Sequence, residues 1–250
     1  MKSASKSPSR RRVLVVDIGG SHVKFQIGAQ GKFGRFRSGP GLTARRAADG
    51  VTAAVPVSQY DVVSIGYPGL VFHSRITAEP HNLGRGWVGF DFQAAFRRPV
   101  RLINDAAMQA IGSYEGGRML FLGLGTGLGA TLIIDGVVEP MEIGHMPYKH
   151  HRTYEDYVGE RGRVRMGTKK WRKVVREVLE QLSGVLETDY VVVGGGNSRR
   201  LRELPDNCRL GDNSNAFKGG LRLWQCDEHP LRIPPERPGG RRPGAGRRHK

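Results

Sequence analysis

The sequence predicts a mixed α/β fold, on three observations. Short apolar runs each stop at a residue able to do chemistry: residues 13–16 at Asp17, 60–65 at Gly66, 100–103 at Asn104-Asp105 and 190–193 at Gly194. Runs this short and this apolar suit strands buried on both faces. Between 168 and 187, Trp171, Val174, Val175, Val178, Leu179, Leu182 and Leu186 recur at helical spacing among Lys and Arg, which predicts a long amphipathic helix with its stripe in the core. Glycine turns follow the strands without interrupting them, so strand, turn and helix alternate.

In order, residues 1–12 (MKSASKSPSRRR) read as a disordered basic arm. Residues 13–16, 22–27 and 32–37 form strands around turns at Gly19-Gly20 and 28–34, an antiparallel hairpin or meander. Residues 42–54 suit a helix, and 60–65 a strand entering the turn Gly66-Tyr67-Pro68-Gly69. A loop over 79–90 and a short helix over 92–96 lead to the strand at 100–103, after which Asn104-Asp105 opens a helix. Strands at 119–122 and 128–134 flank the glycine turn 123–129. Short helices are expected over 153–159 and 214–224, and from 225 to 250 Pro, Gly and Arg predict a disordered tail. No repeat of solenoid period is present, but a glycine-turn hairpin occurs once in each half.

The 250 residues can bury a sizeable core in one large or two small domains. The formal charge is +17, spread over both ends and the body. Such a balance favours a polyanion (nucleic acid, anionic membrane or a long phosphate polymer), although basic tails also serve simply to solubilise. Cys208 and Cys226 make neither a metal spacing nor a disulfide framework, which fits a reducing cytoplasm. The apolar run after the basic start is too short for a signal peptide, and no stretch reaches membrane-span length. A soluble cytoplasmic protein is expected.

The chemistry-bearing residues fall in five groups. In Asp17-Ile18-Gly19-Gly20-Ser21, the glycines let backbone amides turn toward an anion, and Ser21 adds a hydroxyl. Asp17 suits Mg²⁺ bound mostly through water, and Lys24 either reaches the same site or crosses the hairpin. Gly125, Thr126 and Gly127 lack the Lys-Ser/Thr of a Walker loop and precede a strand, so they form a phosphate nest or a plain tight hairpin. Asp105 suits the general base for a substrate hydroxyl, and Asn-Asp before Ala-Ala also suits a helix cap. Glu142, His145 and Glu155 offer acceptors and a donor for a polyhydroxylated ligand, or line a solvated loop. Zinc is not expected beside His150 and His151, given irregular spacing and no nearby cysteine. Gly194, Gly195 and Gly196 pass beside a nucleotide or serve as a packing turn.

The order of these motifs is more specific than any one of them. Asp-x-Gly-Gly-x-x-x-Lys, INDA, GLGTGLGA, DGVVEPMEIGH, TYEDYVG and DYVVVGGGNS together resemble the ROK family of sugar kinases, and within it the polyphosphate glucokinases, over residues 13–224. The resemblance implies an actin-like, hexokinase-type (ribonuclease H-like) fold with two α/β domains around a cleft, 13–104 and 105–224. It implies that Asp105 is the catalytic base and that Asn82, Asn104, Glu142, His145 and Glu155 hold the sugar. Asp17, Gly19, Gly20, Ser21 and Lys24 match the first phosphate loop; Gly125, Thr126 and Gly127 match the second. Gly194, Gly195 and Gly196 match the nucleotide or distal-phosphate side.

The implied activity is transfer of a phosphoryl group from inorganic polyphosphate, or also ATP, to the 6-hydroxyl of glucose with Mg²⁺, feeding glycolysis. The alternatives are an ATP-dependent ROK hexokinase or glucomannokinase, and a non-catalytic polyanion binder or sugar sensor on the same fold. The segment MPYKHHRTYED carries none of the cysteines of the zinc motif found in most ROK kinases. Only twelve residues precede the first strand, which leaves no room for the DNA-binding extension of ROK repressors and argues against a specific nucleic-acid partner. Dimers are common in such families, so a homodimer is compatible with the resemblance.

Overall fold

The computed structural model describes residues 11–212, 214–225 and 231–233. Its first half runs β1 (Val13–Ile18), β2 (His22–Ile27), β3 (Phe33–Arg37), α1 (Ala44–Ala54), β4 (Val62–Tyr67), a small hairpin of β5 (Val71–Phe72) and β6 (Arg75–Ile76), α2 (Phe92–Phe96) and β7 (Val100–Asn104). Helix α3 (Asp105–Ser113) leads into β8 (Arg118–Leu124), β9 (Leu128–Ile134) and β10 (Val137–Met141). A short pair, β11 (Pro147–Lys149) and β12 (Arg152–Thr153), precedes α4 (Tyr154–Val158), α5 (Glu160–Met166) and α6 (Thr168–Val185). Then follow β13 (Tyr190–Gly194), β14 (Cys208–Leu210) and α7 (Asn215–Arg222).

Two five-stranded sheets result, in the orders β3-β2-β1-β4-β7 and β10-β9-β8-β13-β14. In each, a three-stranded antiparallel meander is extended by two parallel strands, the first paired with the meander's first strand and the second paired with that parallel strand. The halves therefore share one connectivity, and the two glycine turns occupy the same place in it. The glycine-turn hairpin present once in each half signals this duplication, and the rest of it lies in strand order and not in a sequence period.

Alternation along each strand builds three cores. Leu14, Val16 and Ile18 face α1 and α2, while Val13 and Val15 face the centre. Leu120, Leu122 and Leu124 face α6, while Met119 and Phe121 face the centre. Helices α3 and α7 fill that centre, so the layers run helices, sheet, α3 and α7, sheet, helices. On α6 the buried residues are Trp171, Val175, Val178, Leu179, Leu182 and Ser183, and the Trp171 indole donates to the Val158 carbonyl at 2.8 Å. Each fully buried large apolar side chain contributes about 1.5–3 kcal/mol.

α3 and α7 meet backbone to backbone. A Cβ on Gly219 would overlap the Met108 carbonyl, and one on Gly112 would overlap the Asn215 carbonyl. Buried Arg222 then closes α3, donating to the Ile111 and Tyr114 carbonyls at 2.7 and 2.8 Å, where a cation is favoured by the helix dipole.

Residues 1–10 of the expected basic arm lie outside the described residues. Arg12, its last residue, is anchored by Asp61 at 2.7 Å. Most of the expected disordered tail, 225–250, likewise lies outside them. The described part is folded, which corrects the expectation there: Gln225 closes a short 3-10 turn, Arg232 bridges Val137, and Ile233 is 1 % exposed with its amide 2.8 Å from the Gly136 carbonyl. Leu231 and Ile233 supply an apolar anchor that the surrounding Pro and Arg disguise.

Candidate functional site

β1, β4 and β7 run parallel, and their carboxyl ends carry the site, as is general for α/β sheets. Asp17 pairs with Gly66, and Tyr67 pairs with Asn104. Gly66 permits the approach of α3: a Cβ there would stand 2.5 Å from Met108 Cε and 3.4 Å from Asp105 Cα. Asn104 is the helix cap, accepting from the Ala107 amide at 3.1 Å, and its Nδ2 donates to the Gly69 carbonyl at 3.1 Å. That leaves Asp105 as the first helical residue, its Oδ1 accepting from the Ala106 amide at 2.8 Å.

Burial pushes the Asp105 carboxyl up to about 7, and the neighbouring Asp17 charge adds to the shift. The Ala106 amide opposes it, and Glu142 raises it slightly. Burial also raises Asp17, against the pull of Lys24, whose Nζ lies 3.3 Å from Asp17 Oδ2. Lys24 crosses the hairpin directly opposite Asp17 in the β1–β2 register. A buried carboxyl raised further by a neighbouring carboxylate is the setting in which a base is tuned toward neutral pH.

The first glycine turn closes on itself, the Gly19 amide donating to the His22 carbonyl at 3.0 Å. Ser38 Oγ donates to the Gly19 carbonyl at 2.6 Å, and the Ser38 amide to the Ser21 carbonyl at 3.1 Å. Gly19 is thus committed to the turn, whereas Gly20 and Ser21 form its exposed tip. Asn82 flanks this tip: its Cβ lies 3.8 Å from where a Cβ on Gly20 would be.

The second turn is a three-residue hairpin tip, with the Gly125 amide donating to the Gly127 carbonyl at 3.1 Å and Thr126 exposed. A Cβ on Gly127 would overlap Glu155 Oε2, so this turn and the Glu155 carboxylate are adjacent. Ala106, next to Asp105, packs under the same hairpin, within 2.7 Å of where a Cβ on Gly129 would stand. Gly194, Gly195 and Gly196 reach the turn from behind: the Asn197 amide donates to the Leu124 carbonyl at 2.9 Å, and Asn197 Nδ2 to the Gly125 carbonyl at 3.2 Å. The Glu160 amide also meets the Gly125 carbonyl, at 3.0 Å.

His145 links the remaining acceptors. Its Nδ1 lies 3.4 Å from Glu142 Oε2 and its Nε2 lies 3.9 Å from Glu155 Oε2. A capping box between Thr153 and Asp156 opens α4 and so fixes Glu155 in its first turn. From the other half, the His81 ring stands edge-on to His145 with centroids 6.5 Å apart. The loop that bears His81 and Asn82 is held by Glu79, which accepts from the Gly86, Trp87 and Val88 amides at 3.2 Å each. His150 and His151 occupy a tight turn with positive φ between β11 and β12.

Asp17 and Asp105 are thus electrostatic neighbours at the strand ends, Asn82 flanks the first glycine turn, and Glu142, His145 and Glu155 cluster beside the second. Sequence reasoning missed His81 and Glu160, and included Asn197 only as the close of the glycine segment, with no role of its own. His81 and Asn197 each adjoin a residue that was singled out, and that adjacency was the available signal.

No protein-family model matches the chain. A polyphosphate glucokinase of Mycobacterium tuberculosis (strain CDC 1551 / Oshkosh) is 26% identical over 152 residues, 55% of this chain and 57% of that protein. The polyphosphate glucokinase of Mycobacterium leprae (strain TN) is 26% identical over 214 residues, 77% of this chain and 65% of that protein. The chain thus spans between half and two thirds of the length of these curated relatives. Among solved structures, an inorganic polyphosphate/ATP-glucomannokinase from Arthrobacter sp. strain KM matches with a TM-score of 0.71 at 24% identity, over 84% of this chain and 97% of that one. A ROK family glucokinase from Streptomyces griseus, in complex with glucose and AMPPNP, matches with a TM-score of 0.66 at 18% identity, over 85% and 98%. The fold is that of the ROK sugar kinases, the hexokinase-type α/β architecture that the motifs implied.

Proposed function

We propose that this chain is a sugar kinase that moves the terminal phosphoryl group of inorganic polyphosphate, and also of ATP, to the 6-hydroxyl of glucose. The observation that carries the reading is the Asp105 carboxyl, pushed up to about 7 at the head of α3, next to Asp17 and with the second glycine hairpin packed on its helix. Asp105 takes the hydroxyl proton as the oxygen attacks. Glu142, His145 and Glu155 on one side, with Asn82 and the second N–H of Asn104 on the other, hold the sugar hydroxyls. Amides of Gly20 and Ser21 and of Thr126 and Gly127, in the turn that Gly125 closes, receive the phosphate oxygens, a fixed electrostatic environment that needs no reorganisation during transfer. Gly194, Gly195 and Gly196 lie on the donor side, behind the second turn.

Asp17 fits a divalent cation: it is a hard oxygen donor whose burial disfavours its uncompensated charge, which Lys24 offsets only in part. Mg²⁺ bound there, largely through water, supplies charge neutralisation on the donor phosphates. The net charge of +17 supports a long polyanion as donor, since rows of Lys and Arg bind repeated phosphates in a salt-dependent way. Among the described residues no helix is long and apolar enough to cross a membrane. We place the enzyme in the cytoplasm, supplying a sugar phosphate to glycolysis.

Incubating the purified chain with glucose, Mg²⁺ and either polyphosphate or ATP tests the assignment. Glucose 6-phosphate formed from polyphosphate is expected. Turnover with ATP alone would overturn the donor, and none with either donor would overturn the kinase reading. The pH profile gives an independent check. Asp105 must be ionised to accept a proton, so kcat/KM rises with pH through about 7. Removing the adjacent charge with Asp17→Asn lets Asp105 ionise more readily, so the residual activity of that variant rises at lower pH. A limb that stays in place, or moves upward, would show that another group is the base.

A further inference from the structure

We propose that Asn197 is a positioning residue for the donor, acting through the backbone of the 125–127 turn, with Glu160 as its partner; the idea rests on that turn receiving donor phosphates. Asn197 is 9% exposed, and its Nδ2 donates both to the Gly125 carbonyl at 3.2 Å and to Glu160 Oε2 at 2.9 Å. The Glu160 amide donates to the Gly125 and Thr126 carbonyls at 3.0 and 3.3 Å. Two successive carbonyls at the tip are therefore drawn to one side.

A trans peptide points its carbonyl and the following N–H in opposite directions. Holding the Gly125 carbonyl fixes the direction of the Thr126 amide, and holding the Thr126 carbonyl fixes that of the Gly127 amide. Both amides are turned away from Asn197 and Glu160, as an anion-binding nest requires. A glycine-rich tip has little side-chain packing to impose this shape, so the restraint comes from outside the hairpin.

The clamp is itself braced. Arg163 Nε lies 2.8 Å from Glu160 Oε2, and Arg200 Nε donates to Asn197 Oδ1 at 3.2 Å. These bonds hold the Glu160 carboxyl down at about 2, so it remains an acceptor for Asn197 throughout the working pH range. They also fix the orientation of the amide, with Oδ1 toward Arg200 and Nδ2 toward the turn. A donor at this position is therefore required, and an isosteric acceptor is excluded.

Asn197→Asp puts a carboxylate against the Gly125 carbonyl and the Glu160 carboxylate, while Asn197→Ser withdraws the group without adding charge. In the full-length chain, tripolyphosphate affinity by calorimetry and the KM for polyphosphate should each weaken about tenfold in Asn197→Asp, the equivalent of about 1.4 kcal/mol. The KM for glucose should stay within about twofold, and Asn197→Ser should show the same split to a smaller extent should the Asp variant not fold. A parallel rise in both KM values, or no change in either, overturns the proposal. Tripolyphosphate binding by a wild-type chain that does not phosphorylate glucose would sink the kinase reading and leave the clamp to be judged on affinity. No tripolyphosphate binding by the wild-type chain sinks the donor role of the turn, and the clamp with it.

Discussion

Asp105→Asn is expected to lower kcat by about 10²–10⁴-fold, the usual worth of a positioned general base, while leaving the fold intact and somewhat more stable above neutral pH. The two effects have one cause. The carboxyl ionises near 7 in the folded chain but near 3.8 when free of the fold, so between those values the folded state holds the extra proton. Stability contributed by this site therefore falls as pH rises from about 4 to 7, and the ionised form is the costly one. Asparagine keeps the shape and the bond to the Ala106 amide and removes the charge. Thermal denaturation at pH 8 should show Asp105→Asn at or above the wild-type midpoint, with steady-state assays showing the loss in kcat. A variant that keeps more than about a tenth of the activity would remove Asp105 from the chemistry.

The second large effect falls on the centre of the molecule. Gly219→Ala should destabilise the protein by about 1–3 kcal/mol, although alanine is the better helix former by up to ~1 kcal/mol. The new Cβ has nowhere to go, since it meets the Met108 carbonyl, and backbone there cannot yield as the end of a flexible side chain would. Gly184→Ala is the control: that glycine lies in α6 with open space around it, so the same exchange should be neutral or stabilising. Urea unfolding of the two variants gives the comparison directly. If Gly219→Ala matches or exceeds wild-type stability, the close crossing of α3 and α7 is wrong.

What the sequence made legible was mostly local. Short continuous apolar runs at 13–16 and 190–193 predicted β1 and β13, and the apolar stripe of 168–187 predicted α6. The Asn104-Asp105 pair supported both a capping and a catalytic reading, and the cap falls to Asn104, with Asp105 in the first turn of α3. What stayed hidden was non-local or unpatterned. α5 has no apolar period, since Val164 and Met166 sit among four charged residues. β10 and β14 are edge strands too short or too polar to stand out, and they exist because β9 and β13 offer them partners. Asn197 and Glu160 are 37 residues apart in sequence, and only the path of β13 behind the hairpin brings them together.

The shared strand order of the two sheets has one more consequence. A frame built twice on the same plan offers a hairpin tip from each half, and a linear chain of identical phosphate units, the donor proposed above, has neither head nor tail. Direction of the proposed transfer then comes from the unlike surroundings of the two tips: the Lys24-bridged Asp17 at the root of one, with Asn82 flanking it, and the Glu155 carboxylate beside the other, which Asn197 and Glu160 hold from behind.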